Sequence, residues 1–107
     1  MSYASRLAAA VADRGRLCVG IDPMPSVLDA WRLPHDVQAL ERCSRAIVEL
    51  LGDRIAVFKP QSAFFEAYGS RGIAVLEQVL TDIREAGALS LLDVKRGDIG
   101  SSMAGYA

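Results

Sequence analysis

The stretch from Leu91 to Ile99, Leu91-Leu92-Asp93-Val94-Lys95-Arg96-Gly97-Asp98-Ile99, runs from apolar residues into alternating acid and base. Asp93 and Lys95 are two apart, so in extended chain they project from the same face. Asp98 follows Gly97, where the chain can turn. A soluble core gains nothing from gathering acids and bases at the end of an apolar run, because unpaired charge is expensive to bury. Such a cluster repays its desolvation when it meets a ligand. The plain alternative is a surface ion-pair cluster of little energetic consequence.

Two further ionisable residues stand in comparable places. Asp22-Pro23 closes the apolar run Arg16 to Ile21, and Lys59-Pro60 closes Ile55 to Phe58. Taken singly, the first reads as a turn starter and the second as a solvated strand end. Taken with Asp93 and Lys95, they put charge after every apolar run. In parallel α/β folds the ligand site lies at the carboxyl ends of the strands.

The intervening segments are those needed to build such a sheet. Ser5 to Arg14 has helical spacing of Leu7, Ala10, Val11 and Arg14, with Gly15 as its stop. Asp36 can cap a helix to about Leu51, with Val37, Leu40, Cys43, Ile47 and Leu50 on one side and Gly52 ending it. Phe64, Phe65 and Tyr68 form a short aromatic turn, read as packing rather than a stacking platform. Ser70 caps a further helix with Ile73, Leu76, Leu80 and Ile83 inward, stopped by Gly87. Strands are expected at 16–21, 55–58 and 88–92, and another helix from Gly100 to Ala107. The alternation of helix and strand predicts βαβ units and a parallel sheet. The unbroken apolarity of each strand fits a sheet covered on both faces, with Val19, Val57 and Leu91 pointing to the inner one. Leu28 and Trp31 are expected to seal the first connection.

Composition excludes several classes. With 107 residues, 51% hydrophobic and 23% charged, the chain reads as one small globular domain without a disorder signature. The formal net charge is −1 and the basic residues are scattered, which argues against a nucleic-acid or anionic-membrane surface. No run approaches a membrane span, the N-terminus lacks a signal-peptide pattern, and a cytoplasmic protein is the default. Cys18 and Cys43 have no CxxC and no neighbouring histidine pair, and are expected as buried free thiols. His35, beside Pro34, reads as a surface residue. Gly97 and Gly100 lack the spacing of a phosphate loop.

The segments Leu17-Cys18-Val19-Gly20-Ile21-Asp22-Pro23, Val57-Phe58-Lys59-Pro60-Gln61 and Asp93-Val94-Lys95-Arg96-Gly97-Asp98-Ile99-Gly100, in this order and spacing, closely resemble orotidine 5'-phosphate decarboxylase of the bacterial type with a Lys-Arg-Gly-Asp-Ile-Gly signature. The resemblance implies a (β/α)8 TIM barrel, which needs about 250 residues. Residues 1–107 would then be its N-terminal portion, about three βα units of a partial barrel domain. It implies cofactor-free conversion of orotidine 5'-phosphate to UMP and CO2, in pyrimidine biosynthesis, by a homodimer with shared sites. By the match, Lys95 protonates C6 and its ammonium stabilises the carbanion there. Asp93 lies near the substrate carboxylate and positions Lys95, Lys59 completes the charged array and contacts the ribose, and Asp22 bonds ribose hydroxyls. Asp98 matches an aspartate supplied across the dimer interface, and Ile99 and Ser102 match residues that approach the partner's site. Position 102 is typically threonine in the family, so Ser102 keeps the hydroxyl and loses a methyl. The phosphate-gripping residues belong to later strands, and the 107-residue chain by itself is expected to be inactive.

Two rival readings remain at this level. The related 3-keto-gulonate-phosphate decarboxylases and hexulose-phosphate synthases share an Asp-x-Lys-x-x-Asp strand end but use magnesium and carry an acid where Lys59 stands. A lysine there would repel Mg²⁺. The other is a non-catalytic fragment.

Overall fold

A computed structural model describes residues 2–94. Lys95, Asp98, Ile99, Ser102 and the helix expected from Gly100 to Ala107 lie outside the described residues. Helix α1 (Tyr3–Arg14) leads into strand β1 (Cys18–Ile21), followed by α2 (Pro25–Ala30), α3 (Val37–Leu51), β2 (Val57–Pro60), α4 (Ser62–Glu66), α5 (Gly69–Glu85) and β3 (Leu89–Ser90). The strands form one parallel sheet in the order β1-β2-β3. Its register pairs Val19 with Phe58 and Gly20 with Lys59 on one side, and Phe58 with Ser90 on the other.

Local chemistry explains most helix ends. Ser2 caps α1 by accepting from the Ser5 backbone N–H at 3.1 Å, and Asp36 caps α3 by accepting from that of Ala39 at 2.8 Å. Helix α2 starts on Pro25, whose missing N–H would be unpaired there anyway. It ends in a left-handed turn: Arg32 has φ 58°, its N–H reaches Asp29 O, and the Leu33 N–H reaches Leu28 O. That is a Schellman cap with arginine where glycine is usual. Leu28 is fully buried and packs with Leu33, Ala39 and Cys43.

The main core lies on one face of the sheet. Ile21 and Phe58, both fully buried, meet Leu40 and Val48 of α3 and Val75, Leu76, Val79 and Ile83 of α5. Phe65 of α4 joins them, and α5 can lie this close to α4 because Gly72 has no side chain: a Cβ there would collide with the Phe65 carbonyl. On the outer surface, Arg45 of α3 bridges to Asp82 of α5 at 2.8 Å and to Glu41 at 3.1 Å. Hydrogen bonds to Asp82, then Glu41, raise the pKa of that guanidinium.

Arg14, at the end of α1, ties the lower end together. Its guanidinium donates to Gly52 O at 2.6 Å, Ile55 O at 3.3 Å and Ala86 O at 2.9 Å. Gly52 and Ala86 are the C-caps of α3 and α5, so one cation meets the carbonyl-rich, partially negative ends of both helices.

Several expectations are corrected. Ser70 is not a cap: α5 begins at Gly69 with Tyr68 in the N-cap position and no side-chain bond, and Ser70 is exposed in its first turn. Leu50 is 67% exposed, because the buried stripe of α3 runs through Leu40, Ile47, Val48 and Leu51 to the end of the helix and Leu50 points away from it. Cys43 is buried, and burial pushes its thiol up; Cys18 is exposed, on the first strand of the sheet and on the face that no helix covers among the described residues. Val19 packs with the helices, in register with Phe58, so of the three expected inner residues only Val57 and Leu91 lie on the other face. Trp31 is 42% exposed, since it is the C-cap of α2, and Leu28 alone is buried there. Strand β2 runs two residues later than expected, so Lys59 lies within it. Strand β3 is cut to Leu89–Ser90, and pairing resumes only as the isolated bridge Gln61↔Asp93. The intervening residue of β2 is Pro60, which has no N–H to give a neighbouring strand.

Candidate active site

The face of the sheet opposite the helices carries the ionisable residues. Strand alternation and register put them in two rows. Gly20, Lys59 and Leu91 form the lower row, one step beyond Val19, Phe58 and Ser90. Asp22, Gln61 and Asp93 form the row above, at the carboxyl end. The ladder continues through this row: the Gln61 N–H donates to Ile21 O at 3.0 Å, Asp93 N–H to Pro60 O at 2.9 Å, and Ser62 N–H to Asp93 O at 2.9 Å. Backbone bonding to both neighbouring strands therefore fixes where these side chains start.

Lys59 Nζ lies 4.0 Å from Asp93 Oδ2, with the lysine side chain 42% and the aspartate 19% exposed. A single partly solvated pair of this kind adds little to stability. Its effect is to hold a cation and an anion side by side at the mouth of the sheet. Asp22 is half-buried, and its carboxylate folds back over Gly20: a Cβ on Gly20 would stand 2.8 Å from Asp22 Oδ2. Glycine at position 20 thus makes the space in which the carboxylate lies, beside the strand position of Lys59.

Of the expected site residues, then, Asp22 just after β1, Lys59 within β2 and Asp93 beyond β3 come together on one face. Lys95, Asp98, Ile99 and Ser102 are outside the described residues. Two contributors had no assigned role in the sequence reading: Gly20, through the room it leaves, and Gln61, which is 5% exposed and stands between Asp22 and Asp93. The signal for Gln61 was its spacing, two residues after Lys59. His35 is at the surface as expected, with Nε2 2.7 Å from Asp29 Oδ1. A groove on the outer side of α3 and α5, lined by Glu41, Arg45, Glu49 and Asp82 among others, contains none of the strand-end residues.

A parallel sheet with helices on one face and charged residues at its carboxyl end is the arrangement of a (β/α)8 barrel wall. Residues 15–107 match the model of the orotidine 5'-phosphate decarboxylase / HUMPS family, and the chain belongs to that family. It is similar to the orotidine 5'-phosphate decarboxylases of Salinispora arenicola, at 62% identity over 106 residues, and of Streptomyces coelicolor, at 59% over 105 residues. Those alignments cover 99% and 98% of this chain and 38% of each relative, so the chain spans well under half their length. A crystal structure from Streptomyces avermitilis, provisionally assigned as orotidine 5'-phosphate decarboxylase, superposes with a TM-score of 0.83 at 62% identity, covering 95% of this chain and 36% of that one. A Toxoplasma gondii structure provisionally assigned as orotidine-monophosphate decarboxylase gives 0.69 at 33% identity, covering 95% and 34%. The fold is accordingly that of a partial TIM barrel. Among the described residues no helix is long and apolar enough to cross a membrane.

Proposed function

We propose that a full-length protein carrying this chain decarboxylates orotidine 5'-phosphate to UMP and CO2. The observation that carries the reading is the gathering of Asp22, Lys59 and Asp93 on one sheet face, with Lys59 Nζ 4.0 Å from Asp93 Oδ2, in a chain whose relatives bear that name. In the reaction the bond from C6 to the carboxylate carbon breaks and its electron pair stays on C6. Lys95, two residues past Asp93, delivers a proton to C6, and CO2 departs. No side chain can delocalise charge at C6, so the barrier must fall through fixed charge. Lys59 and Lys95 supply cations beside the developing carbanion. Asp93 holds the lysines in place and faces the departing carboxylate, while Asp22 and Lys59 take the ribose. Remote binding energy from residues beyond this chain positions the substrate.

Residues 1–107 are read as one part of a single barrel domain, in a cytoplasmic homodimer. Asp98, Ile99 and Ser102 complete the partner's site in that reading. The lysine at position 59 favours this reaction over the magnesium-dependent sugar-phosphate chemistry of the same family, because a cation there opposes Mg²⁺. The test is loss of orotidine 5'-phosphate absorbance with the full-length protein after exhaustive chelation, native and Lys95→Ala. Full native activity and loss of turnover in the variant are expected. Lys95→Ala activity within tenfold of native, about 1.4 kcal/mol of barrier, would overturn the assignment. Activity that returns only with Mg²⁺ would favour the sugar-phosphate enzymes.

A further inference from the structure

We infer that Gln61 accepts a hydrogen bond from a hydroxyl of the substrate's sugar. The inference rests on the decarboxylase reading and adds to it a residue that sets ligand preference. Gln61 is 5% exposed, and its side-chain oxygen is buried without a hydrogen-bond partner among the described residues. A buried acceptor left unpaired carries a desolvation penalty, and native structures rarely keep one without a reason. The backbone at Gln61 is extended, with φ −92° and ψ 108°, so the alternation of β2 continues through it. Its side chain therefore leaves the sheet on the same face as Lys59 and, across the bridge, Asp93.

The position also selects the chemistry of the donor. On one side the Gln61 N–H bonds to Ile21 O, which places Gln61 next to Asp22; on the other it pairs with Asp93. In the proposed site Asp22 and Lys59 take the ribose and Asp93 the reacting carboxylate. An acceptor set between them, one row above Lys59, is placed for a neutral O–H donor. The ionised residues of its own row, Asp22 and Asp93, are themselves acceptors, and the Lys59 ammonium on the row below is paired with Asp93 and makes no bond to Gln61, so none of these groups satisfies it. A carboxamide serves here without adding a third negative charge to the row.

The test is a cycle of residue and ligand. Native full-length protein and its Gln61→Met and Gln61→Glu variants are titrated calorimetrically with UMP, 2'-deoxy-UMP and 3'-deoxy-UMP. Gln61→Met should weaken UMP binding roughly three- to tenfold, the range of one hydrogen bond. With one of the two deoxy ligands that loss should disappear, while Gln61→Glu, which retains an acceptor oxygen, keeps the hydroxyl dependence. An equal loss on all three ligands, or none on UMP, would overturn the inference and leave the decarboxylase reading standing. Failure of the native protein to bind UMP would overturn both.

Discussion

The two faces of the three-stranded sheet carry residues of opposite kinds. Toward the helices stand Ile21 and Phe58, fully buried among α3, α4 and α5. Toward the other side stand Cys18, Lys59, Leu91 and Asp93, all at least partly exposed. Consecutive residues of β2 thus stand in different settings: Phe58 is buried in the core and Lys59 stands in the proposed site beside Asp93. Burial of a phenylalanine is worth roughly 2–3 kcal/mol, whereas a partly solvated ion pair is worth about 1 kcal/mol or less. The charged face contributes little to folding. Its residues are held in place by backbone ladders whose stability comes from the face behind.

That division can be broken from the scaffold side first. Arg14→Met should destabilise the protein by about 2–3 kcal/mol, because it strips a charged donor from carbonyls at the ends of α3 and α5. Chemical denaturation reads the loss, and the affinity of the remaining folded protein for UMP should not change. A smaller change sharpens the ligand side. Gly20→Ala should displace the Asp22 carboxylate, lowering kcat/KM for orotidine 5'-phosphate about tenfold, or about 1.4 kcal/mol. Its unfolding midpoint should stay near native, since the neighbour that must move is a side-chain end. Steady-state kinetics beside a denaturation curve would show the separation. The smallest effect has the opposite sign. Arg32→Gly should stabilise by about 0.5–1 kcal/mol, because glycine adopts φ 58° without steric penalty. A higher melting temperature with unchanged activity is expected.

What could be read in advance followed from local chemistry. Asp36 as a cap, α3 from its periodicity, the parallel order and the charges at strand ends all depend on residues near one another in sequence. The features missed depend on distant partners. The role of Arg14 requires Gly52, Ile55 and Ala86 to converge on it. The shortness of β3 traces to Pro60 on the neighbouring strand, and the exposure of Leu50 to which side of the last turn of α3 the core takes, that of Val48 and Leu51. Ser70 looked like a cap because serine before an apolar run usually is one, yet α5 begins where the chain turns out of α4. For the site, spacing alone singled out Asp22, Lys59 and Asp93. The space over Gly20 and the unpaired oxygen of Gln61 became visible only once the strands lay side by side.

The central claim is that one sheet face folds the protein and the other performs the chemistry. Two adjacent residues of β2 test it most directly. Full-length Lys59→Ala and Phe58→Ala are compared for orotidine 5'-phosphate decarboxylation and for unfolding free energy. Lys59→Ala should lose at least about a hundredfold in kcat/KM, as expected for removal of a fixed charge near a reacting centre, and stay within about 1 kcal/mol of native stability. Phe58→Ala should instead lose about 3–5 kcal/mol of stability. Lys59→Ala with activity within tenfold of native, or as destabilised as Phe58→Ala, would contradict the account.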